Sequence, residues 1–504
     1  MRTALVLLVV TLLAHGGPWL RSTWAGSEAM RVLIAHEMTV SGDLVVPRLG
    51  GETIFTKPPA HYWAMSAVEQ VFGLHPVVAR IPSLLAIWWC ACVAFGVLAR
   101  RADRRTAYLG ALAILCAPSM LWHGAFAEID PMFAGASAVA ILALLDGAAA
   151  GSAKQLVFAG LAGALALLTK GPPLVMFLAV PFVVALRMSP RLVAAAFLPA
   201  LLAPCAAYVL VLLGVLSDGG STTQAAAVAA SESVGRIALF DQDSLLDLPM
   251  HVLRSLGASL PFTPWLLGVL RDRDPSPLAR IERACAWGFL GAVLVLVVVP
   301  LRPSRYLLPG VPLIAFATAR RIAAWTRESS ALPRAITVAV RGVVVVAALA
   351  AALLPFLPYP FPGRSLPGAV ALGVVALAVR TRAGAFALIL LLPVIGLATV
   401  ARDRESYRNL GVRDEARLAA MMRAELDARG IERFEIWGHP GEMFAFALDP
   451  RANWRDRLAR EVTTDWLVAR WLDGQASDLD PSQWIERVRL RGRERSFVLA
   501  ERRR

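Results

Sequence analysis

The chain has 504 residues, 57% of them hydrophobic, and a mean hydropathy of +0.59, which excludes a soluble globular protein. Its net charge of +14 is concentrated as arginines in short loops, such as Arg100, Arg101, Arg104 and Arg105, or Arg320, Arg321 and Arg327. That is the positive-inside signature of a polytopic protein, so the basicity encodes topology and not a nucleic-acid partner.

The first apolar run, 4–20, follows one arginine and is expected to be an uncleaved first span, because no convincing small-residue cleavage site comes after it. Further spans are expected at 76–99, 106–126, 130–149, 155–170, 172–188, 192–216, 250–270, 284–301, 306–323, 335–357, 367–381 and 384–401. This gives about thirteen crossings of bilayer length, with the N-terminus cytoplasmic and the C-terminus outside. Residues 155–188 can also be read as a broken hairpin around Lys170-Gly171-Pro172-Pro173. The five cysteines all fall in apolar segments and read as small buried hydrophobes.

Two loops on the outer side are long, 21–75 and 217–249. The first is polar and carries Glu28, Glu37, Asp43 and Glu52, with Lys57 standing before Pro58-Pro59. It shows an amphipathic helical pattern at 28–40, then a turn at Ser41-Gly42-Asp43. A second helix should start after the two prolines and run through His61-Tyr62-Trp63. Such helices would lie flat at the membrane interface, and the loop is the expected place of an active site. Beyond 402 the chain turns charged and reads as a small extracytoplasmic α/β domain. It has a helix at 411–429, strands near 434–437 and 466–470, and a hairpin at 484–502. The expected division is a membrane domain, 1–401, and this domain, 402–504.

Ionisable groups at the membrane edge are costly and tend to be functional. Those expected on the outer face are Glu28, Arg31, Lys57, Glu128, Asp130, Lys170, Arg236, Arg302 and Arg305. Lysine occurs at 57, 154 and 170 alone, and two of these three stand at outer turns beside proline. A compact ammonium suits a phosphate oxygen as a point charge; the plainer reading is that these lysines snorkel to headgroups. His36, His61, His123 and His439 have no metal-ligand spacing. His36 with Glu37, or Glu128 with Asp130, could hold a divalent ion if folding brought them together, so no cofactor is firmly implied.

The ordered set Ser27-Glu28, Glu37-Met38, Gly42-Asp43, Pro47-Arg48, Lys57-Pro58-Pro59 and Tyr62-Trp63 resembles the first external loop of a known family. It is that of the polyprenyl-phosphate-dependent glycosyltransferases of the C-type fold, which include the aminoarabinose transferases and the protein O-mannosyltransferases. Ala127-Glu128-Ile129-Asp130-Pro131-Met132, Thr169-Lys170-Gly171-Pro172, Glu232-Ser233-Val234-Gly235-Arg236 and Pro303-Ser304-Arg305-Tyr306-Leu307-Leu308-Pro309 extend the likeness over roughly 20–320.

The resemblance implies a multi-pass inner-membrane protein, mainly α. It would carry a sugar from a polyprenyl-phosphate donor to an extracytoplasmic acceptor (lipid, glycan or protein) by an inverting route. In that scheme Glu28 and Asp130 are the candidate catalytic carboxylates. Lys57, Arg236, Arg305, Tyr306 and Lys170 would hold the donor phosphate, and Ser27, Arg31, Tyr62 and Glu128 would position acceptor or loop. The chain departs from the pattern at Ser27, where the family has an aspartate, and at Met30, where it has an arginine. A serine hydroxyl is no base near neutral pH. Glu28 could replace it, Asp130 could help, the acceptor could arrive ionised, or the chain could be catalytically weak. As plain structural readings, Glu28 would be an exposed carboxylate at a helix start and Asp130-Pro131 an N-cap with proline at N1. The rival functions are a transporter or flippase and a non-catalytic lipid-phosphate-binding relative.

Overall fold

The structure is a computed structural model of the chain. It describes residues 2–19, 28–49, 52–54, 57–124, 126–218, 259, 261–298, 304–327, 418–432, 434–437, 453–455, 465–471, 483–491 and 496–503. In chain order the elements are α1 (Arg2–Trp19), α2 (Glu28–Ser41), β1 (Arg48–Leu49), β2 (Glu52–Thr53), α3 (Ala60–Phe72), α4 (Pro76–Ala79) and α5 (Ile81–Arg101). Next come α6 (Arg104–Leu115), α7 (Pro118–Gly124), α8 (Ile129–Ala150), α9 (Ala153–Lys170) and α10 (Leu174–Met188). They are followed by α11 (Pro190–Val215, with a π turn at Val193–Phe197), α12 (Thr263–Arg271), α13 (Pro277–Val298) and α14 (Gly310–Arg327). Helix α15 (418–428) precedes β3 (Glu435–Trp437), β4 (Asn453–Arg455), β5 (Trp466–Trp471), β6 (Trp484–Arg491) and β7 (Ser496–Arg502).

The chain forms two compact units. The first comprises Met1–Leu20, Phe55–His61 and Arg80–Ala401. Among its described residues four helices are long and apolar enough to cross a membrane, or five if α6 and α7, bent by 53°, make one span. These fall on the expected spans 76–99, 106–126, 130–149, 155–170 and 192–216. The expected spans 335–357, 367–381 and 384–401 lie outside the described residues.

Helix α8 is the centre of this unit. From Ile129 to Ala148 all its residues are buried, and it packs against α5, α9 and α10. Its small residues allow this: a Cβ on Gly135 would lie 2.4 Å from the Ala86 carbonyl oxygen of α5. Backbone cannot step aside as a flexible side chain can, so Gly135→Ala should destabilise by about 1–3 kcal/mol through overpacking. The midpoint of thermal unfolding in detergent reads this; an unshifted midpoint would mean that α5 and α8 do not approach so closely.

The arginine-rich loops gather at one end of the bundle. Asp103 caps α6, accepting from the N–H groups of Arg105 and Thr106 at 2.9 and 3.1 Å. The Thr106 hydroxyl above all, with the Thr106 N–H and Arg327, holds the Asp103 carboxyl down to about 2. Asp146, near the end of α8, accepts from Arg100 at 2.6 Å, from Arg101, and from Gln155 at 3.2 Å. Arg320 of α14 forks onto buried Glu282 at 2.7 Å and reaches Asp272 at 2.8 Å. Arg100 and Arg101, and likewise Arg320, Arg321 and Arg327, thus find carboxylates contributed by other segments of the chain.

The second unit comprises Arg21–Ile54, Tyr62–Ala79 and Arg402–Arg504. Helix α2 spans the expected amphipathic stretch, and β1 and β2 pair antiparallel after it. Helix α3 begins right after Pro58-Pro59, as the sequence predicts. Side chains stitch α2 to α3: His36 Nδ1 lies 2.5 Å from Glu69, and the Thr39 and Ser66 hydroxyls are 2.5 Å apart. The C-terminal part is a five-stranded sheet in the order β4-β3-β5-β7-β6, with β3 parallel to β4 and β5 and the remaining pairs antiparallel. Leu418, Met422 and Leu426 of α15 cover Val468, Phe497 and Leu499 on one face. The strands match the expected ones except β4, whose three residues give no alternation to detect. Of the expected helix 411–429, the first seven positions lie outside the described residues.

Candidate active site

Opposite the arginine-rich end, the membrane unit gathers a second set of charges. Helix α8 starts at Ile129, so its N-cap position is Glu128, which makes no side-chain cap bond. Asp130 therefore stands in the first turn and is not the N-cap that its sequence permitted. A carboxylate there faces the positive end of the helix dipole. Lys170 is the last residue of α9, where an ammonium faces the negative end. The chain reverses immediately afterwards at Gly171, whose φ of +81° and ψ of −142° only glycine adopts without strain.

Because α8 and α9 run antiparallel, the start of one meets the end of the other, and Lys170 Nζ donates to Asp130 Oδ1 across 40 positions of sequence. The side chains of this pair are only 9% and 10% exposed, so Lys170 is not snorkelling to headgroups. Arg305, in a short 3-10 turn (Ser304–Leu307), brings its Nε to 4.0 Å from Asp130 Oδ2 and is 45% exposed. The Tyr306 ring lies 4.4 Å below the Lys170 ammonium, and the Phe133 ring is at 5.5 Å. Lys57 acts on Lys170 electrostatically, and a Cβ on Gly171 would lie 3.9 Å from Pro58, so the two lysine-proline turns are neighbours. His123 of α7 feels the charges of Asp130, Arg305 and Lys170.

In this unit the structure therefore brings together Asp130, Lys170, Arg305, Tyr306 and Lys57 of the sequence-predicted set. Glu128 is near in sequence, and its carbonyl accepts from Ser83 Oγ at 3.3 Å. Sequence reasoning missed Phe133, though it stands three positions after Asp130 and so shares its helix face. Nothing in the sequence marked His123 as a neighbour of this group. A buried ammonium beside a half-exposed guanidinium makes a surface suited to an oxyanion.

The second unit holds the remaining described candidates. Glu28 opens α2 and is fully buried, unlike the solvated helix-start carboxylate of the plain reading. Arg31 Nη1 donates to the Tyr62 hydroxyl at 2.7 Å. Tyr62 is itself fully buried, and burial pushes its phenol up despite the guanidinium beside it. Ser27, Arg236 and Arg302 lie outside the described residues. Among the described residues no three His, Cys, Asp or Glu side chains could share a metal ion, and His36 is paired with Glu69.

Residues 56–216 match the dolichyl-phosphate-mannose-protein mannosyltransferase family. The undecaprenyl phosphate-alpha-4-amino-4-deoxy-L-arabinose arabinosyl transferase of Edwardsiella ictaluri is 31% identical over 157 residues, covering 30% of this chain and 28% of that protein. Its counterpart in Pseudomonas aeruginosa is 31% identical over 154 residues, covering 29% and 28%. The matched stretch thus spans under a third of either relative's length. A crystal structure of ArnT from Cupriavidus metallidurans bound to undecaprenyl phosphate superposes with a TM-score of 0.76 at 17% identity, covering 98% of this chain and 97% of that one. The apo form of the same protein gives 0.72. The chain is a polytopic, mainly α membrane protein with a C-type-glycosyltransferase-like fold and a small C-terminal β-sheet domain, and its stretch 56–216 is similar to the mannosyltransferase family and to the aminoarabinose transferases.

Proposed function

We propose that the protein transfers a sugar, with inversion, from a polyprenyl-phosphate-linked donor to an acceptor on the extracytoplasmic side of the membrane. The observation that carries this reading is the Lys170–Asp130 pair with Arg305 beside it and Tyr306 beneath it, set at the ends of membrane helices. Cations held there by fold and dipole can receive a phosphate at the bilayer surface, while apolar helix faces receive an isoprenoid chain. A transporter would place such charges near the midplane of broken helices.

In the proposed reaction the acceptor oxygen attacks the anomeric carbon. The bond from that carbon to the phosphate oxygen breaks, and its electron pair stays on the phosphate. The acceptor's proton passes to a carboxylate, for which Glu28 is the candidate on its place in the loop motif. The donor is a phosphodiester with one negative charge, and the departing monoester carries two. Lys170, Arg305 and Lys57 therefore meet more charge in the transition state than in the ground state, which is the condition for catalysis rather than mere binding. Arg236 is proposed as a further phosphate ligand, and Arg31, Tyr62, Glu128 and Ser27 as residues that position loop and acceptor.

The same reading includes about thirteen spans, a cytoplasmic N-terminus and the extracytoplasmic domain 402–504. The test is transfer by purified protein from a polyprenyl-phosphate sugar. Glu28→Gln should reduce turnover about 10²–10⁴-fold, as loss of a general base does, and Lys57→Ala should weaken donor binding. Full turnover in Glu28→Gln would remove that residue as the base, and unaltered donor affinity in Lys57→Ala would remove the lysine from the phosphate site.

A further inference from the structure

The proposed phosphate site contains its own anion. Asp130 Oδ1 is engaged by the buried Lys170 ammonium, and its Oδ2 faces Arg305 at 4.0 Å. Protonating this carboxylate would leave Lys170 buried without its counter-charge, an arrangement that folded proteins avoid. A group so committed is poorly placed to take a proton from an acceptor. It is well placed to set how much positive charge a bound phosphate meets. Lys170, Arg305 and Lys57 bring three positive charges and Asp130 one negative, an excess of two among these four groups. That excess matches the two charges of a departing monoester. Without Asp130 the excess would be three, and the product would be held more tightly than turnover can use.

Building on the proposed transferase reaction, we infer that Asp130 is a resident counter-anion whose role is to let the polyprenyl monophosphate product leave. It acts through Lys170 and Arg305 and is a positioning residue, not the base. The fold supports this placement on both sides. The helix dipole of α8 holds the carboxylate at its first turn, and the glycine reversal at Gly171 holds the ammonium against it. Tyr306 and Phe133 wall the ammonium, so Lys170 stays in the site when its bond to Asp130 is exchanged for one to phosphate.

The experiment measures binding of undecaprenyl monophosphate to the full chain in nanodiscs, together with pre-steady-state transfer. Asp130→Asn should bind the monophosphate about tenfold or more tightly, the effect of one unopposed charge a few ångströms away. KM for the donor and kcat should fall together, the first turnover should persist as a burst, and Asp130→Glu should restore release. Loss of the first turnover without tighter product binding would overturn the inference and make Asp130 a base. If Asp130→Asn does not fold, Lys170→Met is compared with Lys170→Met/Asp130→Asn, in which both members of the pair are gone. The double variant should then bind monophosphate about tenfold more tightly than Lys170→Met alone, and equal affinities would overturn the inference. Wild-type protein that neither binds monophosphate nor transfers sugar would overturn the transferase reading itself. Wild-type function with no tightening in Asp130→Asn would overturn only the role of Asp130.

Discussion

Lys170→Ala should lower kcat/KM for sugar transfer by about 10²–10³-fold. Two losses combine. A charge-assisted bond to the leaving phosphate is worth about 1.5–3 kcal/mol, and each 1.4 kcal/mol is a factor of ten. In addition, the substitution takes the closest cation from Asp130, which then faces the incoming anion with Arg305 4.0 Å away and Lys57 in the same group. The Lys170 side chain is 9% exposed, so solvent screens little of either effect. Lys170→Arg should recover only part of the loss, because the larger guanidinium needs more room than a side chain only 9% exposed has around it. Steady-state kinetics with a polyprenyl-phosphate sugar reads both variants. A change of less than threefold in Lys170→Ala would mean that this ammonium does not meet the phosphate. Lys170 closes its helix, so a folding defect is separately visible as a shifted unfolding midpoint.

Asp146→Ala should be the most damaging change at the opposite end of the membrane unit, destabilising by about 2–4 kcal/mol without touching the phosphate site. The carboxylate is 3% exposed and joins Arg100, Arg101 and Gln155, so it ties the end of α8 to the end of α5 and the start of α9. Removing one partner of a buried pair leaves the other uncompensated, which costs about 3–5 kcal/mol when both are fully buried. Arg100 is 56% exposed and can turn to water, which moderates the loss. Asp146→Asn should cost less, since the amide oxygen still accepts a hydrogen bond. Thermal unfolding in nanodiscs separates the two variants. An unchanged midpoint in Asp146→Ala would show that these arginines are satisfied by solvent and headgroups instead.

The helices were legible in the sequence because membrane spans declare themselves through apolar length, and α8 has no charge from Pro131 to Leu145. The start of α3 was legible from Pro58-Pro59, and strand β5 from its apolar run Trp466-Leu467-Val468. The pairings were not. Lys170 and Asp130 were each singled out, one for its rarity and the other for its place before proline, but nothing local joins residues 40 positions apart. That union is created by the antiparallel packing of α8 on α9 and by the turn at Gly171. Asp146 passed unnoticed for the same reason, because its partners lie 45 and 46 positions upstream on α5. The plainer of the two readings of Glu28, a solvated helix-start carboxylate, fails because sequence reports the helix start but not what covers it. Ser27, which stands where the family's loop motif has an aspartate, lies outside the described residues, so the choice of Glu28 as base rests on sequence and chemistry.

The central claim is that charge growing on a departing lipid phosphate is received by Lys170 and Arg305. The most direct measurement is the release of polyprenyl monophosphate from a polyprenyl-phosphate sugar, by wild-type protein and by Lys170→Ala/Arg305→Ala. The account predicts one monophosphate released per sugar transferred by the wild type, with inverted anomeric configuration. It also predicts a loss of at least about a thousandfold in the double variant, as two charge-assisted contacts to one phosphate require. Equal release by the two proteins, or transfer with the phosphate still attached to the sugar, would contradict it.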